Sequence, residues 1–245
     1  MIVVGIETSG SQGSVALLRE GAIVDERLLG DSGRRHARTL VMELDEVLGG
    51  QGLTPREIDV VAVSLGPGSF TGLRVGVVCA KTWAFATGCR LAAVETFVAV
   101  AARLPAESQG STRAWVIDDA LREDVFVQRF ERADAGGDSA AWRGADAVRL
   151  MAFDAWIHET AAGDLVSGPG AGRWAAELRD RGLDVVAPER QRPAAAAVAE
   201  VGAALALRGE HADPFTLAPL YVRRSAAEEK LDAAARAEPA TGTGP

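Results

Sequence analysis

A glycine-dense turn within residues 66–76 has the residue types best suited to chemistry in this sequence. It joins a β-branched run, predicted as a strand over 58–64, to a helical pattern that begins at Ser69. The free N–H groups and the dipole at a helix N-terminus can bind an anion. Glycines can also serve only a tight turn with positive φ, so the residues leave both interpretations open. A Walker phosphate loop is excluded because no Gly-Lys-Ser/Thr ends the motif.

A carboxylate followed by two hydroxyl residues ends the first predicted strand, at Glu7, Thr8 and Ser9. Such hard oxygen ligands could hold magnesium together with nucleotide phosphates. A hairpin turn with an exposed carboxylate explains the same residues equally well. The candidate residues for binding ATP or ADP with magnesium are therefore Glu7, Thr8, Ser9, Gly68, Ser69 and Asp119.

The histidines of the chain do not have the spacing of a metal site. His158-Glu159 begins like a zinc-protease helix, but Ala162 stands four residues after His158. His36 likewise has Leu40 four residues further on. No metal site and no catalytic residue are predicted, and the remaining carboxylates near the middle of the chain are expected to be solvated turn residues: Asp118, Asp119 and Asp124.

The helix after the glycine turn carries a stripe of small residues, Gly72, Gly76 and Ala80, spaced four apart. A mid-helix glycine costs about 1 kcal/mol relative to alanine, so its presence needs a reason. Close packing of another element, within the chain or across an interface, is the most economical one. Arg74 and Lys81 argue against a membrane-embedded helix pair.

Hydrophobic patterning predicts a mixed α/β domain. Three strands come first, then helices alternate with strands, over 2–6, 14–18, 22–29, 38–48, 58–64, 69–87 and 91–94. The second half is less regular, with helices predicted over 151–160, 172–181 and 194–207.

The pattern of a hairpin with a carboxylate at the end of its first strand starts again after Pro105, where residues 115–117 precede Asp118-Asp119. A second glycine loop, residues 167–172, also enters a helix. These features predict a duplicated domain with a cleft between its copies. The expected divisions are an N-terminal subdomain over 1–104, a C-terminal subdomain over 105–225 and a disordered tail over 226–245.

Composition predicts a globular protein of the cytoplasm. The 245 residues are 48% hydrophobic, and the start of the chain lacks the features of a signal peptide. No run reaches membrane-spanning length. The two cysteines, Cys79 and Cys89, are predicted about 15 Å apart, too far for a disulfide. A formal net charge of −8 disfavours RNA binding by this chain alone.

Three segments resemble the bacterial TsaB (YeaZ) family in order and spacing: residues 6–9, 35–40 and 66–76. Weaker matches follow at residues 119–120, 167–168 and 219–223, so that the resemblance spans about residues 1 to 225. It implies an α/β actin-like ATPase (ASKHA) fold of two ribonuclease-H-like subdomains with mixed sheets. It also implies a relative of TsaD, the subunit that transfers the threonylcarbamoyl group to the adenosine next to the tRNA anticodon.

The resemblance further implies a chain that binds and activates TsaD without catalysing the reaction. In TsaD a metal motif contains paired histidines, and here only His36 of that pair remains. The implied heterodimer uses the helices over 38–48 and 69–87, which places these residues at the partner interface: His36, Leu40, Leu44, Gly72, Arg74, Gly76 and Ala80. The ATPase TsaE is implied to join there, and tRNA to be reached only through the complex. An exposed partner surface also predicts a homodimer in isolation.

Two departures from the family pattern weaken the case for nucleotide binding. Glu7 stands where an aspartate is usual, and Leu121 where arginine is usual. The alternative is an ATP- and magnesium-dependent kinase or carbamoyl-type transferase that acts alone through Glu7 and Asp119. A metalloprotease is the least favoured possibility because the metal ligands are missing.

Overall fold

The computed structural model describes residues 1–30, 36–105, 111–132 and 142–223. The predicted tail over 226–245 and the side chain of His36 lie outside this description. The described chain folds into two mixed β-sheets with helices packed against them.

The first sheet has the order β3-β2-β1-β4-β5. Its central strand β1 pairs with β2 antiparallel and with β4 parallel. The bounds of the strands and of the helices between them are β1 (Ile2–Glu7), β2 (Ser14–Arg19), β3 (Ala22–Leu28), α1 (His36–Gly49), β4 (Val60–Ser64), α2 (Phe70–Thr87), β5 (Arg90–Val94) and α3 (Thr96–Ala101).

The second sheet repeats this topology, with the order β11-β10-β6-β7-β8 and β9 as a further partner of β7. Its central strand β6 is antiparallel to β7 and parallel to β10, as β1 is to β2 and β4. The strands and helices of this part of the chain are β6 (Arg113–Asp119), β7 (Asp124–Arg132), β8 (Trp142–Gly144), β9 (Arg149–Ala152), α4 (Phe153–Ile157), β10 (Leu165–Ser167), α5 (Ala175–Asp180), β11 (Asp184–Val185) and α6 (Pro188–Gln191). The last helix, α7 (Ala195–Leu207), follows them in sequence. The predicted α/β class with two mixed sheets is confirmed.

The helix predicted over 151–160 is wrong in its first part. Met151 lies in β9, opposite Val125 of β7, and only Phe153–Ile157 is helical. Here the hydrogen-bonding edge of β7 outweighs the weak local preference for helix.

Each face of the first sheet carries helices. One core cluster lies between this sheet and α1 and α2, and includes Ile6, Leu44 and Val77. On the other face packs α7, although it follows the second sheet in sequence. Its approach is close, since a Cβ on Gly202 would lie 2.3 Å from the Cβ of Ala62. The predicted boundary between residues 104 and 105 stays a prediction, but α7 packs with the N-terminal sheet, because its alanines allow this close contact.

Residues 212–223, which we name the C-terminal strap, return along α2 after α7. The Ala212 N–H donates to Leu91 O at 2.8 Å, and the Leu220 N–H donates to Leu65 O at 2.8 Å. At its end, Arg223 donates to Ala120 O and to Asp124 Oδ2. The strap therefore joins the first sheet to the β6–β7 hairpin.

Candidate functional site

The glycine turn before α2 packs tightly against the turn that follows β1. The Ser69 N–H donates to Ser9 O at 2.7 Å, and the Ser69 hydroxyl accepts from the Gly72 N–H at 3.2 Å as the N-cap of α2. A Cβ on Gly68, whose φ is 152°, would stand 2.5 Å from Ser9 O. The peptide between Gly66 and Pro67 is cis. Gly66 and Gly68 both have positive φ, of 120° and 152°, so of the two interpretations that the sequence left open this geometry favours the tight turn.

The second glycine loop repeats the arrangement against β6. A Cβ on Gly168 would lie 2.1 Å from Ile117 O, and one on Gly170 would lie 2.6 Å from the backbone nitrogen of Asp119. Both loops thus fit against the end of the central strand of their own sheet. In both copies glycine is needed because a side chain at these positions would collide with the backbone at the end of the central strand.

Glu7 and Thr8, which were predicted as phosphate or magnesium ligands, lie in the interior of the chain. Both are fully buried. Glu7 Oε1 accepts hydrogen bonds from the Ser9 N–H and from the Ser9 hydroxyl, while Oε2 has no partner among the described residues. Burial raises the pKa of Glu7, with the Ser9 hydrogen bonds acting in the opposite direction. These contacts are those of a hydrogen-bonded turn, and magnesium or phosphate binding by Glu7 and Thr8 stays a prediction.

Two chambers lie between the two halves of the chain. The first, of about 670 Å³, has mostly apolar walls. The second, which we call the polar chamber, has a volume of about 600 Å³, and four of its seven lining residues carry hydroxyl groups. Ser69 and Asp118 line both. Of the predicted nucleotide residues, Ser9 lines the polar chamber, and Gly68 and Asp119 line the apolar one. Nucleotide binding by these residues stays a prediction.

Asp118 is the carboxylate whose surroundings differ most from the solvated turn that we expected. Burial raises its pKa to about 6, and the neighbouring Asp119 charge adds to this. The Asp119 N–H donates to Asp118 Oδ1 at 2.8 Å. Asp119 itself accepts from the Leu121 N–H and pairs with Arg173 at 2.8 Å, so it has the role of a turn residue held by an ion pair.

The small-residue stripe of α2 is used inside the chain. A Cβ on Gly72 would lie 2.0 Å from Thr8 O, and one on Gly76 would lie 2.3 Å from Thr8 Oγ1. Ala80 and Leu44 are also buried. These four residues are therefore used in packing within the chain, where α1 and α2 turn them toward β1 and the core beneath it, and their contact with a partner stays a prediction.

The outward face of α1 and α2 is instead apolar and open. Val41 is 65% exposed, Val78 62% and Phe85 69%. A groove of about 660 Å³ runs between the two helices, with Leu40, Val75 and Trp83 among its apolar lining residues. Arg74, a predicted interface residue, is exposed and also lines this groove. Sequence reasoning named the helices but missed these side chains, although Val78 and Phe85 are apolar positions outside the buried stripe.

Among the residues that the structure describes, neither metal-binding clusters nor membrane-spanning helices give a further candidate. Across the described ranges, no group of three or more His, Cys, Asp or Glu side chains could hold a metal ion. In the same part of the chain, none of the helices is both long and hydrophobic enough to cross a membrane. Cys79 and Cys89 are both free, and burial raises the pKa of the Cys79 thiol to about 11.

Comparison with known proteins gives consistent matches. The family model of TsaD, tRNA N6-adenosine threonylcarbamoyltransferase, matches residues 30–160, more than half of the chain. The tRNA threonylcarbamoyladenosine biosynthesis protein TsaB of Escherichia coli is 25% identical, covering 94% of this chain and 98% of the relative. The protein of the same name from Haemophilus influenzae is 26% identical, covering 94% and 97%.

The fold agrees with these matches. The solved structure of YeaZ from Pseudomonas aeruginosa superposes with a TM-score of 0.72 at 22% identity, covering 90% of this chain and 100% of that one. The two repeated mixed sheets are those of the actin-like ATPase fold. The chain therefore belongs to the family that the threonylcarbamoyltransferase model describes and, within it, to the TsaB (YeaZ) proteins.

Proposed function

We propose that this chain is a non-catalytic subunit in the biosynthesis of threonylcarbamoyladenosine in tRNA, and that it binds and activates the catalytic subunit TsaD. Support for the pathway comes from relatives named for it that match 94% of the chain. The open apolar face of α1 and α2 is the observation that carries the partner role.

That face has the composition expected of a protein contact. Val41, Val78 and Phe85 each expose more than half of their surface, on two adjacent helices. Burying one such side chain contributes about 1.5 to 3 kcal/mol. Apolar side chains grouped in this way on a folded surface are typical of interaction sites. We infer that TsaD covers this face, in the region that the family resemblance gives to the partner.

The catalytic side of the reaction belongs, in this proposal, to TsaD. Leu40 stands where the resemblance would require the second histidine of a metal pair, and its side chain is buried in the core of this chain. Glu7, the carboxylate on which an independent ATP- and magnesium-dependent enzyme would depend, is buried as well. These two positions favour the subunit role over the alternative of a kinase or transferase acting alone.

The remaining partners follow from the same proposal. With a formal net charge of −8, the chain gives phosphate groups little attraction, so tRNA is reached through the complex. TsaE joins at the junction between this chain and TsaD, and a homodimer in isolation uses the same apolar face. A cytoplasmic location, which the free Cys79 and Cys89 favour, stays a prediction.

The proposal is tested by measuring the affinity of the chain for purified TsaD by sedimentation or calorimetry. Val78→Asp places a charge at the centre of the face and is expected to weaken binding by at least about 100-fold, or roughly 2.7 kcal/mol. Leu207→Asp is the matched control, because Leu207 is 78% exposed at the end of α7. Equal binding by both variants would contradict the role of this face.

A further inference from the structure

The exposed aromatic side chains of the described residues are not scattered. They are Phe70, Phe85, Phe215 and Tyr221, and they form two pairs. Phe70 and Tyr221 have ring centroids 5.1 Å apart, and Phe85 and Phe215 lie 5.6 Å apart in an edge-to-face contact. Each pair joins α2 to the C-terminal strap. Aromatic residues are enriched at the centres of protein interfaces, where they carry much of the binding energy.

The strap is held in place along its length, so these rings are already positioned. The Lys81 ammonium donates to Leu217 O at 2.7 Å, and both residues lie between the two aromatic pairs in sequence. Backbone hydrogen bonds join Ala212 to Leu91 of β5, and Leu220 to Leu65, which is the residue after β4. A surface that is ordered before binding loses less conformational entropy on association.

The strap surface is continuous with the groove between α1 and α2 through a single side chain. Arg74 lines that groove. Its guanidinium also stands 3.9 Å from the centroid of the Phe70 ring, and its Nε donates to the Tyr221 hydroxyl at 3.0 Å. Phe85 is likewise next in sequence to Ala86, another groove residue. The apolar face thus extends from α1 across the exposed side of α2 to the strap.

We propose that Phe215 and Tyr221 of the strap belong to the TsaD-binding surface, so that the partner contacts three segments of this chain and not two helices alone. This inference rests on the proposed function, because it names a further part of the same contact. Phe215 is 74% exposed in the free chain, which is a large apolar surface left open beside the groove. Covering it together with Phe85 would bury both members of an edge-to-face pair.

The test is the affinity for TsaD of Phe215→Ala and Tyr221→Ala, each in the full chain. Each is expected to raise the Kd by about tenfold or more. Tyr221→Phe keeps the ring that contacts Phe70 and is expected to retain most of the affinity. Leu207→Ala removes an equally exposed apolar side chain from α7 and is expected to leave the Kd unchanged.

The outcomes separate this inference from the proposed function. If Val78→Asp abolishes binding while Phe215→Ala and Tyr221→Ala bind normally, the helices are the contact and the strap inference is overturned. If none of these variants affects binding, TsaD does not bind this face, and both the proposed function and the strap inference are overturned. A loss of self-association with unchanged TsaD affinity would make the strap a contact between copies and would also overturn the inference.

A photocrosslinking measurement keeps the inference testable if truncation disturbs the strap. Benzoylphenylalanine at position 215 retains an aromatic side chain and is expected to crosslink to TsaD in the mixture. The same group at position 207 is the control and is expected to give no such product. Crosslinks of equal yield from both positions, or none from position 215, would contradict the strap contact.

Discussion

Replacing Gly72 by alanine tests whether the small-residue stripe of α2 serves this chain or its partner. The added Cβ would lie 2.0 Å from Thr8 O and 3.2 Å from Thr8 C, whereas ordinary contacts begin at 3.4 Å. Because the obstacle is backbone, α2 and the end of β1 must separate. Overpacking of this kind costs about 1 to 3 kcal/mol, and the better helix propensity of alanine returns at most about 1 kcal/mol.

We therefore expect Gly72→Ala to lower the free energy of unfolding by about 2 kcal/mol and the Tm by roughly 4 to 8 °C. Urea unfolding of the isolated chain measures this directly. Gly49→Ala is the control, since a Cβ at this last residue of α1 would meet no atom within 4 Å. Gly72→Ala as stable as Gly49→Ala, but deficient in TsaD binding, would refute the internal role of the stripe.

Two further predictions concern buried carboxylates. Burial raises the pKa of Asp118 from 3.8 to about 6, so the folded chain binds this proton more tightly than the unfolded chain, and the resulting stability, complete below about pH 4, is lost as the pH rises through 6. In urea unfolding, the free energy of unfolding of Asp118→Asn relative to the original chain should therefore rise between pH 4 and pH 8, by no more than about 3 kcal/mol. A difference that does not change with pH would contradict this prediction. Asp164 accepts hydrogen bonds from Arg113 Nε and Trp115 Nε1, each at 2.9 Å. Asp164→Ala is expected to lower the free energy of unfolding by about 3 kcal/mol, because both donors lose their partner, and a loss under 1 kcal/mol in thermal or urea unfolding would contradict this.

The sequence predicts the first sheet well because the hydrophobic pattern and the turn or cap residues agree on where its elements begin and end. The strand predicted over 58–64 is found at Val60–Ser64, and the helix predicted from Ser69 begins at Phe70 with Ser69 as its cap. In the second sheet, β10 has three residues and β11 only two. Strands so short show no period in sequence, and only the pairing of β10 with β6 and of β11 with β10 defines them.

The candidate site was predicted in part, and the reason is physical. Gly72 and Gly76 indicate that another group must come close, but a missing side chain does not identify that group. The structure identifies it as Thr8 of the same chain. Glu7 gave a similar ambiguity, since a carboxylate beside two hydroxyls suits either magnesium or a hydrogen-bonded turn. Its inward rotation toward Ser9 depends on the packing of β1 and α2, which no local pattern contains.

The most direct measurement of the central claim is tRNA threonylcarbamoylation with purified TsaD, TsaE and the enzyme that makes the activated intermediate. The proposed subunit role predicts that modification requires this chain, that the chain alone modifies nothing, and that Val78→Asp fails where Leu207→Asp succeeds. Modification at the same rate with and without the chain would contradict the role as an activating partner.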